Sequence, residues 1–279
     1  MEKESFTRIL PSKTHREENF PVASMFISKH LRPHIHTFYL CAREADDIAD
    51  HTNMSSNEKL RQLKIFDDVL AEKIDDPLVA PKAYAHLQSA KKTGVRIEHA
   101  RNLLQAFTLD VKKTRYRNWS ELINYCRFSA APVGRYLLEL HGEKEVIGKQ
   151  TDALCIALQI LNHLQDCKSD YLELDRVYIP EAFMREKGSQ IIELGNSSSS
   201  PSMRQVFNKI LQRTSDLLNN TSGLSCSIAN RGLRMETAVV VNIANLLLKQ
   251  LLTDDPIAKS IKLSKLQTIF CFFRGVIFN

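Results

Sequence analysis

Between Pro33 and Asp50 the apolar residues Ile35, Phe38, Tyr39, Ala42, Ala45 and the Ile48-Ala49 pair return every three to four positions, the period of one helix face. Pro33 stands at the start, where a first helical turn tolerates a missing N–H. The same rhythm predicts helices over 57–73 and 82–91, parted by Asp75-Asp76-Pro77, and over 97–109. Asn118 and Glu121 have the spacing of a capping box, which predicts a helix from there to about His141. Leu154, Ala157, Leu158, Leu161 and Leu164 mark a helix over 150–168. Helices resume over 202–220 and 232–252, the last ending before Asp254-Asp255-Pro256. The tract from Gly195 to Pro201 reads as loop, and residues 1–20 read as polar and irregular up to Asn19-Phe20-Pro21. No β-period alternation, βαβ rhythm or solenoid-length repeat is visible. The expectation is an all-α chain forming one domain over 1–279.

Composition narrows this picture. Nine glycines and nine prolines are too few for a turn-rich β-sandwich, whereas a helical chain of 279 residues can enclose a ligand cavity. Lys and Arg (38) exceed Asp and Glu (32), and the resulting +6 fits a diphosphate substrate or an anionic membrane surface. No dense basic run with interleaved aromatics occurs, so nucleic acid is not an expected partner. The six cysteines form no C-x-x-C pair, which suits reduced cytoplasmic thiols better than a zinc site or disulfide framework. The opening MEKESFTRIL lacks the apolar segment of a signal peptide, and no eighteen-residue apolar stretch predicts a membrane span.

Two acidic clusters carry candidate chemistry. In the first predicted helix Asp46 and Asp50 are four apart, so their carboxylates leave one face about a turn apart. Like charges at that spacing repel by a few tenths of a kcal/mol, roughly 0.2–0.5, and scaffolding gains nothing from keeping them. Mg²⁺ is held by one or two carboxylates while phosphate and water oxygens complete its shell, which a D-x-x-x-D turn supplies. Arg43, three positions earlier, can reach the same anion. The plainer alternative is a solvated acidic face, with Asp46 or Asp47 paired to Arg43. Asn162, Asp166 and Asp170 repeat the four-residue step on an otherwise apolar helix. Two such ladders facing one another across a bundle can hold several Mg²⁺ ions around one diphosphate. The alternative is that Asp166 and Asp170 merely cap helix ends.

At these residues the chain resembles the squalene and phytoene synthase family. Asp46-Asp47-Ile48-Ala49-Asp50 and the stretch Asn162–Asp170 are similar to its two aspartate-rich motifs. Asp175-Arg176-Val177-Tyr178-Ile179-Pro180 resembles its R-V-Y-[LI]-P segment, and Tyr125 to Gly134 its Y-C-x-x-x-A-G-x-V-G helix. Glu18 to Ser24, Ala131 to Arg135 and Asn162-His163-Leu164-Gln165-Asp166 are similar to the bacterial hydroxysqualene synthase branch of hopanoid biosynthesis. Two positions depart from the condensing members. Gln165 stands where many carry Arg, and Ala131-Pro132 where they carry Ala-Gly. A proline within a helix costs about 3 kcal/mol, so Pro132 calls for a kink.

The resemblance implies a class I isoprenoid synthase bundle around a central cavity, acting on presqualene diphosphate with water capture. It implies Mg²⁺ bound by Asp46, Asp50, Asn162, Asp166 and Asp170, with Asp47 and Gln165 in supporting substrate contacts. Arg43 and Tyr178 would hold the diphosphate, Tyr125 would face the cation, and Phe20, Phe38 and Tyr39 would line the prenyl tunnel. No Gly-rich dinucleotide fingerprint is present, so no NAD(P)H is expected. The alternatives are a head-to-head synthase using farnesyl or geranylgeranyl diphosphate, and a non-catalytic helper. Beyond about residue 180 no role is carried over. His30, His34 and His36 read as solvent-exposed histidines. The apolar run 269–278 is too short to span a bilayer; it either dips into a membrane face or packs on the core.

Overall fold

A computed structural model describes residues 26–144 and 147–277, so the expectations for residues 1–20, Phe20 among them, lie outside the described residues. The first helices arise where the periodicity predicts them: α1 (Arg32–Asp50), α2 (Ser56–Leu70), α3 (Pro81–Thr93) and α4 (Glu98–Lys112). The Ser55 hydroxyl caps α2 by accepting from the Glu58 N–H, which sets its start, and Gly94 ends α3 at φ +75°. α4 runs three residues beyond the predicted end.

The predicted helix 118–141 is two helices, α5 (Trp119–Ser129) and α6 (Ala131–Leu140), broken at Ala130 (φ −128°, ψ −47°). Pro132 therefore sits in a first turn, where its missing N–H removes no helical bond, and the expected cost is avoided. Only half of the capping box forms. Asn118 accepts from the Glu121 N–H at 3.0 Å, but the Glu121 carboxylate takes the Arg117 N–H at 2.5 Å instead of that of Asn118. The helix over 150–168 is likewise two, α7 (Gly148–Gln165) and α8 (Cys167–Leu174), joined at Asp166 (φ −100°, ψ 6°). Next come α9 (Glu181–Lys187), a 3-10 turn (Ile191–Gly195), α10 (Pro201–Asn219), α11 (Leu224–Ser227), α12 (Arg231–Thr253) and α13 (Lys265–Ile277).

α1 packs on α2, α3 and α4, while α7 packs on α6, α10 and α12. Gly134 permits the close crossing of α6 and α7: a Cβ there would lie 2.5 Å from Thr151 Cγ2 and 2.6 Å from Cys155 Sγ. α12 is the one helix among the described residues with the length and composition to cross a membrane, which the sequence reading did not anticipate. It lies against α7, α10 and α13, burying Leu233, Ile243, Ala244 and Leu247. Between α8 and α9 the chain runs extended, with Val177 in a parallel bridge to Arg115 and its N–H bonded to the Thr114 carbonyl at 2.9 Å. Extended backbone alternates its side chains. Val177 and Ile179 enter the core, and Arg176 and Tyr178 face the other way.

Candidate functional site

Helices α1, α4, α5, α6, α7, α8 and α12 and the extended segment enclose a cavity of about 440 Å³. Its walls change character in the same sense along two helices. On α1 the lining residues run Ile35, Phe38, Tyr39 and Ala42, then Arg43, Asp46 and Asp50. On α7 they run Thr151, Leu154, Cys155 and Leu158, then Gln159, Asn162, His163 and Asp166. Asp170 of α8, Asp110 of α4 and Arg176 add to the polar wall, and Leu137, Leu233 and Val240 add to the apolar one. Both acidic ladders thus face one pocket, not bulk solvent.

Two arginines organise the first ladder. Arg43 reaches Asp46 at 3.0 Å and Asp47 at 2.7 Å. Arg176, itself buried, binds Asp50 at 2.5 Å and the Ala49 carbonyl at 2.9 Å. The pairing of Arg43 with these carboxylates, weighed above as a sign of a solvated face, occurs at the cavity wall instead, with Arg43 and Asp46 lining it and Asp47 buried behind them. The second ladder keeps its register through the α7–α8 junction. Asp166 N–H donates to the Asn162 carbonyl at 2.9 Å, and Asp170 N–H to the Asp166 carbonyl at 2.8 Å.

Behind the ladders lies a buried hub. Asp110 accepts from the Tyr125 and Tyr178 phenols, each at 2.8 Å. Tyr178 stacks on His163 with ring centroids 3.6 Å apart, and the Gln159 amide donates to His163 Nε2 at 3.1 Å. Burial first, and Arg176 second, push His163 down to about 3, so its ring is neutral. Burial pushes Asp110 up to about 6, against the pull of Arg176 and the two phenols. Both phenols are held well above their usual range, by burial and then by Asp110. Asp46 is raised as well, by burial and then by its ladder partner Asp50.

Such an assembly attracts cations. Among the described residues Asp46, Asp50, Asp110, Asp166, Asp170 and Glu236 line the cavity against two guanidiniums, Arg43 and Arg176. The donors are oxygens, the preference of Mg²⁺. Among the described residues no three His, Cys, Asp or Glu side chains converge as a ready metal site. The carboxylates stand singly or in pairs along the two ladders, and an ion held there would take the rest of its shell from water and phosphate oxygens. The residues present fit Mg²⁺ in that form.

The cavity gathers Arg43, Phe38, Tyr39, Tyr125, Tyr178, Asp46, Asp50, Asn162, Asp166 and Asp170, all singled out from the sequence. Two expected contacts do not reach its wall. Asp47 is buried beside the Arg43 guanidinium, one helical position off the lining face. Gln165 is also buried, its amide donating to the Ile261 carbonyl. His30 and His36 are exposed as expected, but His34 is half-buried, 2.7 Å from the Ser89 hydroxyl. Asp110, His163, Arg176 and Glu236 were not predicted as site residues. Asp110 did leave a signal, a carboxylate seven residues after Leu103 on the buried stripe of α4.

The squalene/phytoene synthase family profile matches residues 13–267. A hydroxysqualene synthase of Sinorhizobium fredii is 41% identical, over 91% of this chain and 86% of its own length. A hydroxysqualene synthase of Rhodopseudomonas palustris is 38% identical, over 96% of this chain and 91% of its own. The crystal structure of a squalene synthase from Alicyclobacillus acidocaldarius superposes with a TM-score of 0.71 at 26% identity, covering 82% of this chain and 85% of that one.

Proposed function

The chain belongs to the squalene/phytoene synthase family, and from that premise we propose that it ionises presqualene diphosphate and lets water capture the rearranged carbocation, giving hydroxysqualene and diphosphate. One observation carries the reading: two acidic ladders and two arginines share a cavity whose remaining lining is largely apolar, Leu154, Leu158, Leu233 and Val240 among it. A substrate with one anionic head and long hydrocarbon chains matches that division.

In the ionisation the C–O bond breaks and its electron pair leaves with the diphosphate oxygen. Asp46, Asp50, Asn162, Asp166 and Asp170 would hold Mg²⁺, which when bound would supply positive charge for the departing diphosphate. Arg43 and Arg176 offer guanidinium N–H groups to the same oxygens. The ring of Tyr125, fixed through Asp110, turns π-density toward cationic carbon, while Tyr178, bonded to the same carboxylate and stacked on His163, lines the cavity beside it. Leu154, Leu158, Leu233 and Val240 line the hydrocarbon end and limit water there. Water then bonds to the cation and loses a proton, so this carbon–oxygen lyase chemistry needs no hydride from NAD(P)H. A cytoplasmic protein in peripheral contact with the membrane follows, because substrate and product are lipids.

The likeness to a squalene synthase structure favours a second reading, head-to-head condensation of farnesyl or geranylgeranyl diphosphate. Incubation of the purified protein with each diphosphate, with and without Mg²⁺, and analysis of the extracted lipids separate the two. Mg²⁺-dependent hydroxysqualene from presqualene diphosphate is the expected result. Presqualene diphosphate or a hydrocarbon formed from the simple prenyl diphosphates, with presqualene diphosphate left untouched, overturns it.

A further inference from the structure

α13 is apolar on two sides, and among the described residues only one of them meets protein. Its inner side is closed against the bundle: Cys271 is buried, Phe272 stacks on Phe26 at 4.8 Å, and a Cβ on Gly275 would come within 2.7 Å of Val239 Cγ2. Its outer side presents Leu266, Ile269, Phe270 and Phe273, which are 79, 50, 61 and 57% exposed. Leu266 is three and four positions from Ile269 and Phe270, and Phe273 four and three beyond them, so the four form a single stripe. Residues 256–279 contain Lys259, Lys262, Lys265 and Arg274 and no Asp or Glu. Lys259 is paired with Asp254 at 2.9 Å.

We propose that α13 is an interfacial helix that docks the protein on an anionic lipid bilayer. Leu266, Ile269, Phe270 and Phe273 enter the acyl boundary while Lys262, Lys265 and Arg274 meet the headgroups. A helix with a Phe- and Leu-bearing stripe and basic flanks is the kind that lies in this plane. A second copy is a poorer occupant, because a two-fold contact through this stripe would bring its basic flanks together. The helix also adjoins the cavity. Phe26 and Val239, which it touches, are the chain neighbours of Ile27 and Val240 on the cavity wall. Docking there sets the hydrocarbon end one side-chain layer from lipid.

The proposal goes beyond the diphosphate reading, and its test uses no substrate, so either can fail without the other. The full chain is floated with vesicles of phosphatidylcholine alone and of phosphatidylcholine mixed with phosphatidylglycerol. Flotation with the mixed vesicles, weakened by salt, is expected. Phe270→Ser with Phe273→Ser lowers partitioning at least roughly tenfold. Lys262→Gln with Lys265→Gln lowers it about 25-fold on anionic vesicles only. Both double variants keep the wild-type melting temperature, since the altered side chains are outside the packed core. Failure to float, or equal flotation with neutral vesicles, overturns the proposal. So does light scattering that finds a dimer which the Phe variant splits.

Discussion

The two acidic ladders share a spacing and differ in how the protein holds them. Asp46 and Asp50 lie on one unbroken helix, and each is fastened to an arginine of the chain. Asn162, Asp166 and Asp170 straddle a junction, with Asp166 closing α7 and Asp170 in the first turn of α8. The backbone bonds from 162 to 166 to 170 continue through the bend, so the four-residue step survives a change of helix. Spacing is a property of consecutive hydrogen bonds, and a gentle junction leaves it intact. Fastening is local for Asp46, held by Arg43 one turn back, and tertiary for Asp50, held by Arg176 126 positions away.

Substitutions sharpen this difference. Asp166→Ala and Asp50→Ala should each lower the rate of diphosphate release by about a thousandfold, the loss of a group acting on developing charge. Only Asp50→Ala should also strip a partner from buried Arg176. Because a third of the Asp50 side chain is exposed, a cost of about 1–2 kcal/mol is expected, read as a melting temperature several degrees lower. An unchanged melting temperature in Asp50→Ala would contradict the pairing with Arg176. Arg176→Gln should lower turnover about a hundredfold while leaving the Arg43 side of the ladder in place. Asp47→Asn, which bonds the Arg43 guanidinium from off the lining face, should cost roughly tenfold or less, mainly in KM. A loss as large as that of Asp50→Ala would show that Asp47 reaches the ligand.

The smallest effect concerns Asp110. Its folded value near 6 lies above the ordinary 3.8, so the folded state keeps a proton that the unfolded chain has released. The stability due to this group is therefore present below about 4, falls as pH rises to 6, and stays low above it. Asp110→Asn cannot ionise. Its melting temperature relative to wild type should climb by a few degrees between pH 4 and 6 and then level off. A difference flat across that window would contradict the burial of this carboxylate.

Helical period and motif spacing made the architecture and both ladders legible before any coordinates. What escaped them was decided by single dihedrals or distant partners. The breaks at Ala130 and Asp166 each change one residue, after which the 3.6-residue rhythm resumes and hides them. Asp47 adjoins Asp46 in sequence, yet one step around α1 moves it from the cavity to the Arg43 flank. Gln165 was claimed by the Ile261 carbonyl, 96 residues away, beyond the reach of any local pattern. Arg176 was visible in its segment, but its bond to Asp50 joins positions 126 apart. Glu236 arrived from α12, in the half of the chain where no role was assigned.

The central claim is that the two ladders grip one diphosphate together. Anomalous diffraction from crystals grown with Mn²⁺ and a non-ionisable presqualene diphosphate analogue tests it directly. The expected map shows Mn²⁺ bound by Asp46 or Asp50 and by Asp166 or Asp170, joined through the oxygens of a single diphosphate. Manganese peaks on one ladder alone, or a diphosphate bound outside the cavity, would contradict it.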